Sequence, residues 1–298
     1  MKKIQYRTGE DDIGQRVDAV LARQFPEFSR SAWQQKLKMN PALVNNNPVN
    51  SSYKVTINQD IEAILPESKV YKIAFHAPKV LPKIIYQDDN VIVVDKPAGL
   101  IAHPTDANPT EESMAGAFFD QITDDNPLRP GIVHRLDRDT SGVMILARNP
   151  ETKKFLQEQF RNRKVSKHYT ALVQGHLKQD QARIELPLQK SQRQPNTMVV
   201  HPGGRPAITE YKVMAQYHKV SLVDVSIHTG RTHQIRAHFA HLGHPVIGDT
   251  VYGRDTRPKG LNRQFLHANS LTIMLPNKGK QTFVAELPKD LKNYLELL

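Results

Sequence analysis

The segment HRLDRDTSG, residues 134–142, holds the side chains of this chain that are best suited to acid–base or nucleophilic chemistry. Its five ionisable residues, which lie between apolar runs, are His134, Arg135, Asp137, Arg138 and Asp139. An unpaired charge costs several kcal/mol to bury, so such a cluster is either solvated or kept for a function. The turn-forming residues Thr-Ser-Gly at its end predict a loop that leads into a buried strand.

Asp137 and Asp139 are the candidate reactive groups of this segment. In an extended segment, side chains two residues apart point the same way, and paired carboxylates are typical of glycoside hydrolases. The neighbouring arginines favour the ionised form, which suits a nucleophile or a base better than a general acid. Asp139 precedes the turn and can bond its backbone amides, whereas Asp137 has no such local role. Asp137 is therefore the stronger catalytic candidate.

Two further segments carry candidate site residues. In KHYTALVQG, Tyr169 follows basic residues in a β-prone run, so it is either a core residue or a stacking platform for a base. In TGRTHQIRAHF, Gly230 can let the backbone turn and direct Arg231 into a cleft, with Arg236 five residues later. An exposed basic helix is the alternative for this second segment. The residues alone leave both alternatives open.

The sequence contains no standard motif for a metal or a cofactor. It has no cysteine, which excludes disulfides, thiolate metal sites and a cysteine nucleophile. Glycine-rich dinucleotide and phosphate loops are absent, as is the serine elbow of hydrolases. The four histidines between residues 233 and 244 match no standard zinc spacing. We therefore expect neither a cofactor nor a metal.

The composition indicates a globular protein with a polyanionic partner. Lysine and arginine outnumber aspartate and glutamate by 41 to 30, which gives a formal charge of +11, and nucleic acid is the commonest polyanion in cells. The charged N-terminus does not resemble a secretory signal, and no segment approaches the roughly 20 apolar residues of a membrane helix. We expect a cytoplasmic protein that does not associate with membranes and is a monomer.

The distribution of prolines and apolar residues predicts two domains. Residues 67–82 read as a linker because two prolines interrupt them. Residues 12–66 predict two short helices and a hairpin, a size suited to a tethered binding module. Residues 83–298 predict an α+β domain with a mixed, largely antiparallel sheet and flanking helices. Basic residues on the second helix of the small domain are candidate RNA contacts: Arg30, Lys36 and Lys38.

Four segments together resemble the motifs of the RluA-type pseudouridine synthases. They are, in chain order, VIVVDKPAGLIAHP, HRLDRDTSG, KHYTALVQG and TGRTHQIRAHFAHLGHPVIGDTVYG. The resemblance implies a pseudouridine-synthase-like fold and the cofactor-free isomerisation of specific uridines in structured RNA. The small domain is similar to the S-four-like RNA-binding domain, which is of the α/β type. The chain most resembles the D-type branch, which acts on large-subunit ribosomal RNA, with the C-type branch next.

The resemblance also assigns roles to individual residues. Asp137 takes the position of the catalytic aspartate, and Arg231 that of the arginine that pairs with it. Tyr169 takes the position of the aromatic residue that stacks on the target base, and Ile235 that of a residue lining the base pocket. Arg135 takes the position of the arginine that fills the gap left when the uridine flips out.

Other functions are compatible with the same residues. A nucleic-acid glycosidase using Asp137 and Asp139 would release free uracil, and a ribosome-assembly factor would bind RNA without changing it. A transfer RNA target is an alternative within the family. The joint occurrence of the segments around Asp137, Tyr169 and Arg231 favours the synthase.

Overall fold

Apolar side chains collect in separate cores in two units of the chain, Met1–Lys72 and Ile73–Leu298. The computed structural model describes residues 3–25, 28, 30–66, 76–104, 110–124, 129–194, 196–253 and 258–298. Residues 67–75, which form most of the predicted linker, lie outside these ranges. Within them, no helix is long and apolar enough to cross a membrane.

The first unit combines two helices with a four-stranded antiparallel sheet. Its elements are β1 (Lys3–Arg7), α1 (Val17–Gln24), α2 (Arg30–Met39), β2 (Ala42–Val44), β3 (Asn47–Val49) and β4 (Asp60–Ile64). The strand order is β1-β4-β2-β3. The unit includes β1, which precedes residue 12, the predicted beginning of the first domain, because this strand pairs along its whole length with β4.

Helical spacing builds the core of this unit. Val17, Leu21, Trp33 and Leu37 are buried together, which confirms the two helices that the sequence predicts. The hairpin between β2 and β3 is closed by two asparagines in the left-handed region, with φ of 49° and 66°. Asparagine tolerates this conformation better than most residues, so the run of asparagines suits a tight hairpin.

The second unit is built on a nine-stranded sheet. The strands of this unit, of which β10 and β11 lie outside the large sheet, are β5 (Lys83–Gln87), β6 (Val91–Lys96), β7 (Ser141–Ala147), β8 (Ser166–Gln174), β9 (Gln181–Glu185), β10 (Leu188–Lys190), β11 (Met198–Val200), β12 (Ile208–Tyr217), β13 (Val220–Ile227), β14 (Leu266–Leu275) and β15 (Gly279–Val284). Its helices are α3 (Met114–Ala117), α4 (Pro150–Arg161), α5 (Gln234–His241) and α6 (Lys289–Leu295).

The large sheet is mixed and largely antiparallel. The order is β5-β6-β7-β14-β8-β13-β12-β9, with β15 beside β14, while β10 and β11 form a separate pair. The pairing of β7 with β14 is parallel, and the other pairings of the large sheet are antiparallel. The α+β class and the mixed sheet with flanking helices are therefore confirmed.

The neighbouring strands β6 and β7 are buried on both faces. Along β6, Ile92 and Val94 belong to one core, and Val91 and Val93 belong to the core on the opposite face. Successive side chains of a strand point to opposite faces, so the continuous apolar run VIVV fills both cores. The segment HRLDRD, which precedes β7, is therefore attached to a strand whose residues are all buried.

Gly142 is required where β7 begins. Its φ is 116°, and a Cβ at this position would lie 2.1 Å from the carbonyl oxygen of Ala268 on the neighbouring β14. Because only glycine permits so close an approach of two backbones, the Thr-Ser-Gly turn fixes the path of the loop that precedes it.

Candidate active site

The loop before β7 is held through its backbone by two buried cations. Nζ of Lys96, which is fully buried, donates to three carbonyl oxygens, among them that of Arg138 at 2.9 Å. Nη1 of Arg263 donates to the carbonyl oxygen of Asp139 at 3.1 Å. Charge-assisted hydrogen bonds are the stronger ones, so two consecutive carbonyl groups that follow Asp137 are held in place.

Asp137 lies in a pocket of about 470 Å³, and its side chain is 17% exposed. Its Oδ2 accepts a hydrogen bond from Nη1 of Arg236 at 2.9 Å. Nε2 of His233 lies 3.9 Å from the same oxygen. Asp137 is the one carboxylate among the described residues that line this pocket. The carboxylate is thus accessible to a ligand and oriented by a cation.

Arg236 bridges Asp137 to a second, buried carboxylate. Its Nε and Nη2 donate to Oδ2 and Oδ1 of Asp249 at 2.7 and 3.0 Å, a bidentate pair. Asp249 also accepts the backbone N–H groups of Val251 and Tyr252, which fixes its orientation. Burial favours loss of the arginine proton, but Asp249 and Asp137 outweigh it and raise the pKa of Arg236. The guanidinium is a permanent charge held at one place.

His233 lies at the beginning of α5 and faces the same oxygen of Asp137 as Arg236 does. It has a left-handed φ of 52°, which is uncommon for a residue other than glycine. Nδ1 of His233 lies 3.0 Å from the hydroxyl of Tyr252, and that hydroxyl accepts the N–H of Met198. The tyrosine hydroxyl can donate its proton to Nδ1, and in that tautomer Nε2, the nitrogen that faces Asp137, carries the proton of the ring.

Tyr169 and Ile235 form apolar walls of the same pocket. Tyr169 lies on β8 and is 7% exposed, and Ile235 lies on α5 and is 4% exposed. Burial, and next the charge of Asp137, raise the pKa of the Tyr169 hydroxyl, so this group keeps its proton. The two side chains provide surfaces suited to a planar base.

Arg135 and the other cations of the pocket give it a strongly positive potential. Arg135 is exposed and makes no ion pair with the described parts of the chain. The cations that line the pocket are Arg135, Arg161, Arg163, Lys167, Arg231 and Arg236. One carboxylate among six such groups is an arrangement that attracts a polyanion.

Comparison with known proteins identifies the family. A family model described as RNA pseudouridylate synthase matches residues 90–241. The ribosomal large subunit pseudouridine synthase D of Yersinia pestis is 32% identical, over 99% of this chain and 94% of that protein. The chain belongs to the RNA pseudouridine synthase family. This confirms the family, the isomerase class and the RNA partner predicted from the sequence.

Two other relatives agree with this membership. An uncharacterized RNA pseudouridine synthase of Aquifex aeolicus (strain VF5) is 37% identical to the synthase, over 96% of the chain and 93% of that protein. The solved structure of human RNA pseudouridylate synthase domain containing 4 superimposes with a TM-score of 0.58 and 26% identity. It covers 72% of the synthase and 92% of the human chain.

The arginine that pairs with Asp137 is Arg236, whereas the sequence predicted Arg231. Arg231 lies before α5 and lines the pocket, but its Nε donates to the carbonyl oxygen of Pro206 at 3.1 Å. Arg236 lies within the helix, and the buried Asp249 draws its guanidinium inward against Asp137. The resemblance assigned this pairing to Arg231, and the assignment was wrong because the arginine with the buried carboxylate partner is the one whose side chain reaches Asp137.

Asp139 has a different role from the one its position suggested. The turn is closed by the N–H of Thr140, which donates to the carbonyl oxygen of Asp137. The charge of Asp139 acts instead on Lys96: burial lowers the pKa of this lysine to about 7, and Asp139 is the foremost charge that opposes the shift. Asp139 is not among the residues that line the pocket, so a pair of catalytic carboxylates is not supported.

The histidines of the α5 segment serve separate purposes in the synthase. His238 is buried between Thr209 and the carbonyl oxygen of Leu186, and His244 bonds the carbonyl oxygen of Gln174. Among the described residues, no group of three or more His, Asp or Glu is placed to hold a metal ion.

The basic residues predicted on α2 of the first unit do not form one exposed patch. Lys36 is 6% exposed, so its side chain belongs to the interior and the prediction of a surface contact was wrong for it. Arg30 pairs with the buried Asp18 at 3.1 Å but keeps half of its side chain exposed. Lys38 is exposed beside a shallow hollow that Arg16 also lines. Arg30 and Lys38 remain candidate RNA contacts.

Sequence reasoning missed three members of the site: His233, Asp249 and Tyr252. The sequence does contain a signal for the buried ion pair, because QIRAHF places the permanent charge of Arg236 between the apolar residues Ile235 and Ala237 of a helix. A buried arginine requires a carboxylate partner, and Asp249 was the nearest carboxylate downstream. The αL conformation of His233 has no comparable signal in the sequence.

Proposed function

We propose that this RNA pseudouridine synthase isomerises one or more uridines of large-subunit ribosomal RNA and that Asp137 acts on the flipped nucleotide. One observation supports the role of Asp137. Among the described residues that line the cationic pocket it is the one carboxylate, and it accepts a hydrogen bond from Nη1 of Arg236 at 2.9 Å. The ribosomal target is supported by relatives named for the large subunit, such as that of Yersinia pestis.

The reaction breaks the bond between N1 of uracil and C1′ of ribose and forms a bond between C5 and C1′. C5 loses its proton, N1 is protonated and the mass of the RNA is unchanged. Addition to the ribose, addition to the base and removal of a ribose proton all begin with an ionised carboxylate beside the sugar. Arg236 orients the carboxylate of Asp137 by a hydrogen bond at 2.9 Å, so the pocket supports each of these first steps.

The surrounding residues match the needs of base flipping. Extruding a nucleotide from a stem costs a few kcal/mol of stacking and pairing. Tyr169 offers a new stacking surface to the uracil, Ile235 an apolar contact, and the exposed Arg135 can fill the space that the base leaves. Arg231 lines the mouth of the pocket and contacts RNA there. Arg30 and Lys38 on the first unit add phosphate contacts, and the protein works as a cytoplasmic monomer.

Mapping of pseudouridines tests the target. Ribosomal and transfer RNA are sequenced from cells that lack the protein and from cells that regain either the wild type or Asp137→Asn. We expect pseudouridines of large-subunit ribosomal RNA to vanish without the protein and to return with the wild type only. Loss confined to transfer RNA would overturn the ribosomal target, and a mass loss of one base would indicate a glycosidase.

A further inference from the structure

Lys167 is a partly buried cation of the pocket that forms no ion pair with the described residues. Its side chain lies over the ring of Phe160, with Nζ 5.9 Å from the centroid. A Cβ on Gly230 would lie 3.9 Å from the same Nζ, so the lysine reaches across to the segment that carries Arg231. No carboxylate of the described chain forms an ion pair with Lys167, and burial lowers its pKa to about 8. Partial burial of an unpaired ammonium group is unfavourable in free energy, and a bound anion would offset this cost.

Arg163 adds a second cation at the cost of backbone strain. It directly follows the C-cap residue of α4 and has a left-handed φ of 58°. Glycine is favoured at this position after a helix because the left-handed backbone conformation found there is strained for other residues. Arg163 is exposed and lines the pocket. A strained cation at the rim of a site points to a function for its charge.

Arg231 completes a group of like charges. Its Nε is fixed by the carbonyl oxygen of Pro206, which leaves the two terminal nitrogens for a ligand. Burial lowers the pKa of Arg231, and the nearby charges of Arg205 and Arg163 lower it further. These cations repel one another in the free protein, and an anion bound between them would relieve that repulsion.

The position of Lys167 relative to Tyr169 indicates which anion fits. The two residues are two apart on β8, so their side chains point to the same face of the sheet. A base stacked on Tyr169 would therefore lie on the same face of β8 as the ammonium group of Lys167. Lysine supplies a point charge and arginine supplies paired donors, which together suit a phosphodiester.

We propose that Lys167, Arg163 and Arg231 form a binding site for an RNA backbone phosphate next to the flipped uridine. The proposal rests on the proposed function for the identity of the RNA. Such a phosphate site favours a uridine within an RNA strand, because a free nucleoside lacks the phosphate that offsets these charges.

The test compares Lys167→Gln with Lys164→Gln, which removes the same charge from an exposed lysine three residues earlier that does not line the pocket. The probe is unmodified large-subunit ribosomal RNA made in vitro and labelled with tritium at C5 of uridine. We expect Lys167→Gln to lower kcat/KM about 10- to 100-fold, the loss typical of one charged hydrogen bond. We also expect the slope of log affinity against log salt to fall by about one. Lys164→Gln should match the wild type in both.

Arg163→Gly separates binding from folding. This variant removes a cation and also relieves the strained φ, so we expect its Tm to rise while kcat/KM falls. If Lys167→Gln and Arg163→Gly keep the wild-type kcat/KM and salt slope, the phosphate site is overturned. If the wild type itself releases no tritium, the proposed function fails, and filter binding of the same RNA to the same variants then decides the phosphate site alone.

Discussion

Nη1 of Arg236 donates to Oδ2 of Asp137 at 2.9 Å, while the other side of the same guanidinium is bound by the buried Asp249. One planar cation therefore orients the reactive carboxylate and also stabilises a second carboxylate whose side chain is fully buried. The geometry of the site and the stability of the fold depend on the same residue.

Arg236→Met should damage both properties. Removing one partner of a buried ion pair leaves the other charge uncompensated, so we expect the free energy of unfolding to fall by about 3–5 kcal/mol and activity to be lost. Arg231→Met is the matched control, because Arg231 has no carboxylate partner among the described residues. Urea denaturation of both variants checks this, and equal loss of stability in the two would contradict it.

Gly142→Ala should disrupt the loop that carries Asp137. The new Cβ would meet the carbonyl oxygen of Ala268 at 2.1 Å, so the strands β7 and β14 must separate locally. We expect a loss of more than about 3 kcal/mol, among the larger effects of single substitutions. Gly99→Ala is the control: it also has a positive φ, of 85°, but no atom lies within 4 Å of its Cβ. It should cost only about 1–2 kcal/mol, the penalty of the left-handed conformation. Similar losses in urea titrations of the two would argue against the close approach.

His134 should make the fold sensitive to acid. Its Nε2 accepts the N–H of Ile145 at 3.0 Å and its ring stacks on Phe160, so the folded state requires a neutral imidazole. Burial lowers its pKa from 6.5 to about 3. Between these values the unfolded state binds a proton that the folded state does not, and stability therefore falls as pH falls from 6.5 towards 3.

The measurement for His134 is the free energy of unfolding at several pH values. His134→Gln keeps an acceptor for the N–H of Ile145 but does not titrate. We expect it to reduce the slope below pH 6.5 by up to one proton, about 1.4 kcal/mol per pH unit. His218→Gln, on an exposed histidine, should leave the slope unchanged. An unaltered slope in His134→Gln would contradict this account.

The ring of Tyr169 should contribute to RNA binding independently of its hydroxyl. Stacking of a base on an aromatic side chain is worth about 1–3 kcal/mol. We expect Tyr169→Ala to weaken the binding of target RNA by that amount and Tyr169→Phe to keep most of the affinity. Equilibrium binding at fixed salt distinguishes the two, and equal affinities of the Ala and Phe variants would exclude a stacking role.

Sequence patterns predicted most of the fold because the relevant signals are local. The apolar run of β6 and the helical spacing of Val17 and Leu21 each follow from the periodicity of one element. The strand β1 was missed because KIQYR is polar and half exposed, and its pairing with β4 depends on residues more than fifty positions away.

The site was predictable where a motif fixes a residue and not where packing does. Asp137 and Tyr169 lie in the same pocket, as their motifs indicate. The choice of Arg236 over Arg231 depends on the buried Asp249, and the burial of Lys36 depends on how α2 meets its neighbours. Spacing along the chain does not encode these tertiary contacts.

The most direct test of the central claim is tritium release from large-subunit ribosomal RNA labelled at C5 of uridine, with Asp137→Asn beside the wild type. The substitution is nearly isosteric and keeps an acceptor for Arg236, so folding and RNA binding should be retained. We expect Asp137→Asn to release no more label than RNA alone, while Asp120→Asn, on an exposed residue outside the pocket lining, stays active. Release by Asp137→Asn at the wild-type rate would contradict the assignment of Asp137 as the reactive group.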